Sequence, residues 1–473
     1  MTVDYDGVII SGTIQGREAA ALAAREGARV ALVEAPGEVE RLIWRQLTIQ
    51  VCAQLGQQSA ITAGWDGSPP FAQEDWPGLR QRVAACAAVA YPHLTLAGLA
   101  TGGVDVVTEA GQFSLRPKLA FTTANRRLRG RGFVLCPGPG VRVPAIPELA
   151  QTPYLTVDTL LNLVAQPQNL IVLGRSGDAI ALALALARLG TRITLVSRGQ
   201  TLLPTEDSDI AAFIAALLLA AGVDLHLGAE LETIYYQGQF KIQLTNGQLL
   251  QAENLLLATA PRPQIADLNL ACLGLDPTAL RLSVDDRLAT AHPRVFACGP
   301  SLGGYWAETT DHRDVPIAVR NALYLPRRRL GTLNRLGVLY TAPEFARLGL
   351  TATQAQRWYG DQAQVLQISY GECLKSHLVG DITGFCRWVV HRDGRLLGAQ
   401  ICGPEARDLI QTVALLVEQN IRIQQMEHQP VLPHSFTEML ARMVDLWQRS
   451  RWQPGTGRRD WAENWFNWRR SRG

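Results

Sequence analysis

Apolar and polar positions near the start of the chain follow the pattern of a strand, a tight turn, a helix and a second strand. Residues 6–10 have the pattern of a buried strand, residues 16–26 that of an Ala-rich helix and residues 28–34 that of the next strand. Gly27 stands where a helix commonly ends in a left-handed residue. The segment therefore predicts a βαβ unit.

The pattern returns later in the chain, with residues 170–173 as a strand, residues 174–179 as the turn and Gly190 as the end of the helix. In each copy, 23 residues separate the start of the turn from the end of the second strand, at 11–34 and at 174–197. Matched spacing fixes the helix length and both strand positions, so it is a stronger signal than either turn alone. We predict two Rossmann-type βαβ units.

Both turns depart from the Gly-x-Gly-x-x-Gly pattern that binds a dinucleotide. The residues expected to contact the two nucleotides are Ser11, Gly12, Thr13 and Gly16 in the first turn, and Gly174, Ser176 and Ala179 in the second. The third glycine position, which lets the helix pack on the strand, keeps Gly16 and the accepted substitute Ala179. The second position holds Thr13 and Ser176, whose side chains crowd a phosphate although their hydroxyls could donate hydrogen bonds to it.

A polar or charged residue ends the second strand of each unit. Glu34 is placed to accept hydrogen bonds from a ribose diol, and Arg198 comes where a 2′-phosphate would bind. Arg198 therefore favours NADP over NAD. The alternatives are a solvated strand end for Glu34 and a surface charge for Arg198.

The composition is that of an ordinary globular protein of several domains. The chain has 473 residues, of which 47% are hydrophobic and 18% charged, and its net charge of +3 gives no indication of nucleic-acid binding. Its eight cysteines have no metal-binding or Cys-x-x-Cys spacing, which predicts free thiols, no metal site and a reducing compartment. An acidic start without a signal peptide, and apolar runs too short to cross a bilayer, predict a cytoplasmic protein.

Further segments resemble a known family in the same order along the chain. They are CPGPGVRVPAIPEL at 136–149, RVFACGPSLGG at 294–304, LYTAPEFARLGLT at 339–351, GRLLGAQICGPEARDLIQTVALLV at 394–417 and LPHSFTEML at 432–440. With the two turns, they make the chain resemble the class I pyridine nucleotide-disulphide oxidoreductases, which include glutathione reductase, dihydrolipoamide dehydrogenase and mercuric reductase.

The resemblance implies an α/β fold with two Rossmann-like dinucleotide-binding domains and a C-terminal α+β dimerisation domain. The expected domains are an FAD-binding-type domain at 1–150 and 266–330, an NAD(P)-binding-type domain at 151–265, a dimerisation domain at 331–448 and a tail at 449–473. The family also implies a homodimer, FAD and NAD(P)H as cofactors, and flavin-nucleotide contacts from Gly138 and Gly299.

Several positions that the family uses for electron transfer differ here. The stretch after Glu34, where the family has its redox-active cysteine pair, is APGEVERLIWRQLTIQVCAQL and contains only Cys52. Disulfide exchange needs an attacking and a resolving thiol, so the sequence predicts that the protein does not use dithiol catalysis and is not a disulfide reductase. Pro137, Pro300 and Pro433 replace a threonine, an aspartate and a histidine of the family pattern. These losses put FAD binding in question.

His434 lies one position after the family's histidine, and Glu438 follows four residues later. One hypothesis makes His434 a general acid or base for a partner subunit, oriented by Glu438. The alternative, which we favour, is a His–Glu pair that caps a helix at a dimer interface. Cys136 and Cys298 lie beside strands expected to face the flavin, but buried cysteines are usually packing residues.

The last 25 residues contain seven Arg, two acidic residues and four Trp. Trp461, Trp465 and Trp468 are spaced as one face of a short helix. This face could bind a membrane surface, the protein's own dimerisation domain or another protein. Trp and Arg together suit a membrane surface, and they are also typical anchors in protein interfaces.

Two functional hypotheses of different classes follow. The first is a flavin- and NAD(P)H-dependent oxidoreductase that passes electrons directly to a small acceptor, such as a quinone or dye-like compound, without a dithiol. The second is a non-catalytic dimeric scaffold of the same fold that binds a partner or a membrane surface through residues 449–473. The paired βαβ units favour the first, and the changed cofactor positions favour the second.

Overall fold

The structure is a computed structural model that describes residues 3–66, 76–303, 312–331, 335–428, 430–452 and 457–472. It divides into two compact units, the first comprising residues 1–331 and 337–342 and the second residues 332–336 and 343–473. The helices are α1 (Ile14–Arg25), α2 (Glu38–Asp66), α3 (Trp76–Val89), α4 (Leu96–Thr101), α5 (Gly177–Arg188), α6 (Ser208–Ala220), α7 (Asp314–Leu323), α8 (Ala352–Tyr359), α9 (Leu374–Val379), α10 (Ala406–Glu418), α11 (Glu438–Arg451) and α12 (Gly457–Arg470).

The strands of the first unit belong to two parallel sheets, two small antiparallel sheets and a short pair. They are β1 (Tyr5–Ser11), β2 (Val30–Glu34), β3 (Asp105–Val107), β4 (Gly111–Ser114), β5 (Ala120–Thr123), β6 (Arg127–Leu128), β7 (Gly130–Cys136), β8 (Pro139–Gly140), β9 (Leu155–Thr156), β10 (Asn169–Leu173), β11 (Arg192–Ser197), β12 (Asp224–Leu227), β13 (Leu231–Tyr236), β14 (Phe240–Leu244), β15 (Leu249–Ala252), β16 (Asn254–Leu257), β17 (Arg262–Pro263) and β18 (Val295–Ala297). The remaining strands are β19 (Leu336–Leu339), β20 (Glu344–Gly349), β21 (Ala363–Ser369), β22 (Phe385–His391) and β23 (Leu396–Gly403).

The first parallel sheet has the strand order β18-β7-β1-β2-β3. Apolar clusters cover both of its faces, which is why β1, β2 and β7 are nearly continuous buried runs rather than alternating ones. In the paired register, Ser11 lies between Glu34 on one side and Cys136 on the other. Gly27 has φ +82° just after α1. The predicted first βαβ unit is therefore confirmed.

The second parallel sheet has the order β12-β11-β10-β16-β9, and α5 connects β10 to β11. Gly190 has φ +97°, so the left-handed helix end recurs. Nine residues of α5 in succession, from Asp178 to Leu186, are buried. This burial explains the unusually apolar sequence of that helix, and it confirms the second βαβ unit.

In the second unit, β20, β23, β22 and β21 are neighbours in that order and all pairs are antiparallel. Helix α10 packs against β20 and β23. The predicted α/β architecture, with two Rossmann-like domains followed by a C-terminal α+β domain, is confirmed.

Candidate functional site

In the turn after β1, the side-chain hydroxyls form hydrogen bonds with the protein's own backbone. Thr13 is the N-cap of α1, and its Oγ1 accepts a hydrogen bond from Gly16 N at 3.3 Å. The same hydroxyl donates to the carbonyl oxygen of Cys136 at 3.4 Å. The Ser11 hydroxyl donates to the Thr13 carbonyl at 3.0 Å. The Thr13 hydroxyl, which was predicted as a possible hydrogen-bond donor to a phosphate, therefore caps α1 in this structure.

Neighbouring atoms lie so close to three glycines that no side chain fits there. These are Gly12, Gly16 and Gly138. A Cβ on Gly12 would come within 2.5 Å of Gly138 N, and one on Gly138 would come within 2.8 Å of the Gly12 carbonyl oxygen. A Cβ on Gly16 would clash with the Ser11 side chain and reach 3.2 Å from Cys136 Cβ. The two strand ends after β1 and β7 therefore form a cradle of bare backbone, which we call the Gly12–Gly138 cradle.

The carboxylate of Glu38, at the start of α2, occupies this cradle. It accepts a hydrogen bond from Gly138 N, and its Oε1 lies 2.8 Å from where a Gly138 Cβ would stand. Burial raises the pKa of Glu38, while nearby Arg41 opposes that rise. An anion therefore lies beside the N-terminus of α1, where helix N–H groups favour negative charge. Sequence analysis missed Glu38 because it follows the second strand and belongs to no fingerprint.

Two cavities flank the Glu38 carboxylate. One, of about 660 Å³, extends past Ser11 and the region of Gly111 and Phe121. The other, of about 470 Å³, lies toward Arg41 and Trp44. Glu38 and Gln264 line both cavities, so the carboxylate stands between them. Together they form a cleft along the carboxyl ends of β1 and β7, which is the usual ligand position of a parallel sheet.

Glu34 is held by a buried arginine. Arg17 Nε donates to Glu34 Oε2 at 3.0 Å, Arg17 Nη2 donates to Glu34 Oε1 at 2.5 Å, and the same nitrogen lies 2.5 Å from Glu40 Oε1. Arg17 and Glu34 are only 4% and 2% exposed. Burial raises the pKa of the Glu34 carboxyl, and the Arg17 guanidinium opposes that rise. A ribose diol at Glu34 would have to share this carboxylate with Arg17, so its ribose role stays a prediction.

The second turn repeats the capping arrangement of the first. Ser176 is the N-cap of α5, and its Oγ accepts from Ala179 N at 3.1 Å and donates to the Ala258 carbonyl at 2.7 Å. Gly174 has φ +135°, and a Cβ there would clash with the Ala258 backbone. Gly174 is therefore a structural requirement of this turn, whatever the turn binds.

Arg198 lies at the surface beyond β11. Its Nε donates to Glu230 Oε1 at 2.5 Å, and its side chain is 75% exposed. The predicted 2′-phosphate contact would compete with this carboxylate. Its role in selecting NADP stays a prediction.

A buried ion pair joins α2 to the start of α5. Arg45 Nη2 and Nε donate to Asp178 Oδ2 at 2.6 and 2.9 Å, and both side chains are less than 10% exposed. Sequence analysis missed this pair, since 133 residues separate its partners. The replaced cysteine stretch thus contributes a structural arginine.

Cys136 and Cys298 lie at the predicted strand ends, and the structure brings their sulfurs together. The Sγ atoms are 2.8 Å apart, and both residues are fully buried. The hydrogen bond to the Cys136 thiol, and then burial, raise the pKa of Cys298 well above its usual value. Cys52, by contrast, is buried at another position, where burial raises its pKa to about 12.

Gly299 begins the segment after β18 with φ +73°, and its N–H donates to Asp314 Oδ2 at 2.5 Å. Asp314 is the first residue of α7 and is buried. A carboxylate therefore reaches the Gly299 backbone from α7, although Pro300 has replaced the aspartate that the family pattern places next to that glycine.

His434 and Glu438 meet through the backbone. The N–H of His434 donates to Glu438 Oε2 at 3.1 Å, and His434 itself is exposed with φ +59°. Glu438 is the first residue of α11. The contact that the structure shows is thus a helix-end contact to the main chain, whereas the hypothesis of an oriented acid/base required a contact to the imidazole.

The tail forms α12, and its three tryptophans form one stripe. Trp461 stacks on Trp465 at 5.9 Å between ring centroids, and Trp465 stacks on Trp468 at 5.0 Å. The Arg472 guanidinium lies 4.4 Å from the centre of the Trp468 ring. The indoles are 67%, 43% and 44% exposed in the single chain. An apolar face of this kind is typical of a binding surface.

Within the described ranges, no group of three or more His, Cys, Asp or Glu side chains is placed to hold a metal ion. Within the same ranges, no helix has the length and apolarity needed to span a membrane.

Residues 5–320 match the family model of the pyridine nucleotide-disulphide oxidoreductases, and residues 336–444 match the dimerisation domain of that family. This chain belongs to the pyridine nucleotide-disulphide oxidoreductase family. The match to the dimerisation domain indicates a homodimer.

Characterised relatives agree with the family assignment. A mercuric reductase from Staphylococcus aureus is 28% identical over 337 residues, which are 68% of this chain and 61% of that protein. The probable pyridine nucleotide-disulfide oxidoreductase RclA of Escherichia coli is 28% identical over 352 residues, 72% of this chain and 79% of that protein. The chain spans 61%, 53% and 52% of the length of three mercuric reductases that it matches.

Solved structures show the same fold. The HOCl-induced flavoprotein disulfide reductase RclA from Escherichia coli superposes with a TM-score of 0.77 at 23% identity, covering 94% of this chain and 99% of that one. LpdA from Mycobacterium tuberculosis superposes with a TM-score of 0.81 at 20% identity, covering 93% and 99%. The family is one of FAD- and NAD(P)-dependent oxidoreductases, and RclA is described as a flavoprotein disulfide reductase.

The first unit fits the anionic part of FAD. Glu38 is a stand-in anion, because its carboxylate already accepts the Gly138 N–H in the Gly12–Gly138 cradle. A pyrophosphate oxygen could accept the same hydrogen bond once the Glu38 side chain rotates outward, and the flanking cavities extend on both sides.

Proposed function

We propose that this protein is an FAD- and NAD(P)H-dependent oxidoreductase that passes electrons to a small acceptor without the family's cysteine pair. The observation that carries the proposal is the Gly12–Gly138 cradle, which holds an anion at the start of α1 between two cavities. FAD, when bound, would supply the chemistry for accepting a hydride from a nicotinamide and passing its two electrons to the acceptor.

The chain's own residues bind and orient the nucleotides in this proposal. Gly12 and Gly138 would admit the pyrophosphate, and Gly138 N, which now donates to Glu38, would donate to it. The NAD(P) turn at Gly174 lies at the start of α5, and Arg198 favours NADP if it exchanges Glu230 for a 2′-phosphate. A planar acceptor is proposed for the 470 Å³ cavity, against the half-buried Trp44.

The absence of the family's cysteine pair supports an acceptor other than a protein disulfide. Arg45 and Thr48 belong to the replaced stretch, and the one cysteine there, Cys52, is fully buried. Burial raises the pKa of that thiol to about 12, so the thiolate is scarce near neutral pH. Cys52 is therefore not proposed as a nucleophile.

Gly12→Ala is expected to weaken FAD binding at least tenfold, because its Cβ would lie 2.5 Å from Gly138 N in the cradle. The matched control is Gly78→Ala in α3, where no heavy atom lies within 4 Å of the added Cβ. Flavin absorbance of the purified protein, FAD titration by fluorescence and NAD(P)H oxidation measure the effect. Wild-type protein that neither contains flavin nor binds added FAD would contradict the proposal.

The exposed tryptophan stripe favours a second candidate function. In it, the protein is a non-catalytic homodimeric scaffold, and α12 with its flanking arginines binds an anionic membrane surface or a partner protein. Indoles and arginines suit the interface between lipid headgroups and acyl chains. Stoichiometric FAD together with steady NAD(P)H turnover would exclude this candidate.

Truncation after Ser450 is expected to leave the dimer intact and to remove binding to vesicles that contain anionic lipid. Trp465→Ser, which interrupts the stacked stripe, is expected to weaken vesicle binding several-fold in the full chain. Trp358→Ser, at a tryptophan 60% exposed on α8, is the matched control. Vesicle co-sedimentation and analytical ultracentrifugation provide the measurements. Equal vesicle binding of full-length and truncated protein would reject a membrane role for the tail.

A further inference from the structure

Cys136 and Cys298 come from neighbouring parallel strands of the first sheet. Cys136 ends β7 and Cys298 directly follows β18, and the pairing of Ala297 with Leu135 sets the two cysteines side by side. Cys298 N donates to the Leu135 carbonyl at 3.0 Å, so the paired geometry continues to this position. The two Sγ atoms are 2.8 Å apart.

This geometry suits a disulfide bond. Neighbouring strands lie about 4.7–4.9 Å apart, and disulfides join Cα atoms about 4.4–6.8 Å apart. The sulfurs are already in contact, so a bond requires only small side-chain rotations. The sequence places both cysteines beside strands but does not show that they touch, because 162 residues separate them.

The pair forms the floor of the first dinucleotide turn. The carbonyl oxygen of Cys136 accepts hydrogen bonds from Gly12 N at 2.9 Å and from the Thr13 hydroxyl at 3.4 Å. Gly16 stands over Cys136 Cβ, where an added Cβ would be 3.2 Å away. A change at these sulfurs would therefore act directly beneath the Gly12–Gly138 cradle.

We propose that Cys136 and Cys298 form a reversible disulfide beneath this turn, and that a small peroxide is the oxidant. One thiol attacks a peroxide oxygen, which breaks the O–O bond and gives a sulfenic acid and one water from hydrogen peroxide. The second thiol then displaces that oxygen as a second water, and the S–S bond forms. Two thiols lose two electrons and two protons, and a dithiol reductant reverses the change.

Burial determines which oxidants can act. Both cysteines are fully buried, so oxidation by a bulky disulfide is disfavoured, whereas hydrogen peroxide is about the size of two water molecules. Reduction by a dithiol requires local opening of these strand ends. The Cys136 thiol, burial and the carboxylates of Asp314 and Glu18 all raise the pKa of Cys298. The thiolate is therefore rare, and oxidation is slow compared with that of an activated thiol. This reaction is independent of FAD and of the proposed oxidoreductase activity.

The test counts alkylatable thiols in the full-length protein. Reduced protein is exposed to hydrogen peroxide and then denatured in the presence of iodoacetamide, which alkylates the free thiols. Intact mass and peptide mapping count the alkylated cysteines. The wild type is expected to fall from eight alkylatable cysteines to six, with a cross-linked 136–298 peptide two hydrogen masses lighter, and dithiothreitol is expected to restore eight. Eight remaining thiols, a cross-link between other cysteines, or sulfinic acid that dithiothreitol does not reduce would overturn the proposal.

Variants locate the reaction. Cys136→Ser and Cys298→Ser are each expected to keep all seven remaining thiols after peroxide. Cys386→Ser is the matched control, because Cys386 is equally buried with a pKa raised to about 12, and it is expected to form the 136–298 cross-link as the wild type does. Two independent serine variants, each checked by circular dichroism, protect the result against misfolding of one of them. Loss of two thiols in either serine variant would also overturn the proposal.

Discussion

Arg17→Met is expected to lower the free energy of unfolding by about 3–5 kcal/mol at pH 7, the usual cost of leaving a buried charge without its partner. Arg17 makes two hydrogen bonds to Glu34, and both residues are almost fully buried. Methionine fills similar volume but offers no charge. Urea unfolding followed by circular dichroism measures the change.

The pH dependence of this loss has a definite sign. Burial already raises the pKa of Glu34, and removing Arg17 removes the group that opposes the rise. A carboxyl whose folded pKa is raised favours folding below its unfolded pKa, and loses that contribution as pH rises through the folded pKa. The Arg17→Met protein should therefore be less destabilised near pH 5 than at pH 7.

Two further variants separate the charge effect from lost packing. Arg126→Met removes a half-exposed ion pair with Asp105 and is expected to cost about 0–1 kcal/mol. The double change Arg17→Met with Glu34→Leu removes both buried charges and should recover much of the lost stability. If Arg17→Met costs no more than Arg126→Met, the Arg17–Glu34 pair does not act as a buried ion pair.

Glu38→Gln is expected to tighten FAD binding at least tenfold, a prediction that depends on the proposed function. The Glu38 carboxylate occupies the Gly12–Gly138 cradle, so a phosphate must displace or approach it. Two unit charges 4 Å apart repel by about 4 kcal/mol at an effective dielectric constant of 20, and partial exposure reduces this figure. Gln keeps the side-chain length and removes the charge. FAD titration by fluorescence or calorimetry provides the measurement.

The same carboxylate makes FAD affinity depend on pH. Since burial raises the pKa of Glu38, the neutral form becomes populated as pH falls through that raised value, and wild-type affinity for FAD should increase. The Glu38→Gln protein should have a flatter profile. Glu232→Gln, on β13 and outside the lining of both cavities, is the control and should leave the affinity within about twofold. Equal FAD affinities of wild type and Glu38→Gln would show that the carboxylate does not guard the cradle.

The two βαβ units were predictable because their signals are local. Apolar strand runs, the helix-ending glycines Gly27 and Gly190, and the matched 23-residue spacing are all contained in short windows. The same windows located both turns and the helix stripe of the tail. The role of the hydroxyls of Thr13 and Ser176 could not be predicted from the sequence, because a hydroxyl at these positions can either cap a helix or bind a phosphate. Only the folded structure shows the capping hydrogen bonds.

The contacts that define the site join segments far apart in the sequence. Glu38 reaches Gly138 and Arg45 reaches Asp178, while Glu34 accepts from Arg17 in α1, the preceding helix of its own βαβ unit. No periodic pattern specifies which side chain enters which space when α2 packs against its neighbours. The sequence shows that the stretch after Glu34 differs from the family pattern. It does not show that this stretch supplies Arg45 to an ion pair and the Glu38 carboxylate to the cradle.

By itself, then, the sequence determined the fold class, the place of both βαβ turns and the presence of a single cysteine, Cys52, in the stretch after Glu34. The tertiary structure decided what occupies those turns, because strand order and helix packing bring distant residues together. Cys136 and Cys298 are the clearest case. Their contact depends on the pairing of β18 with β7, and the local hydrophobic pattern does not specify which strands pair.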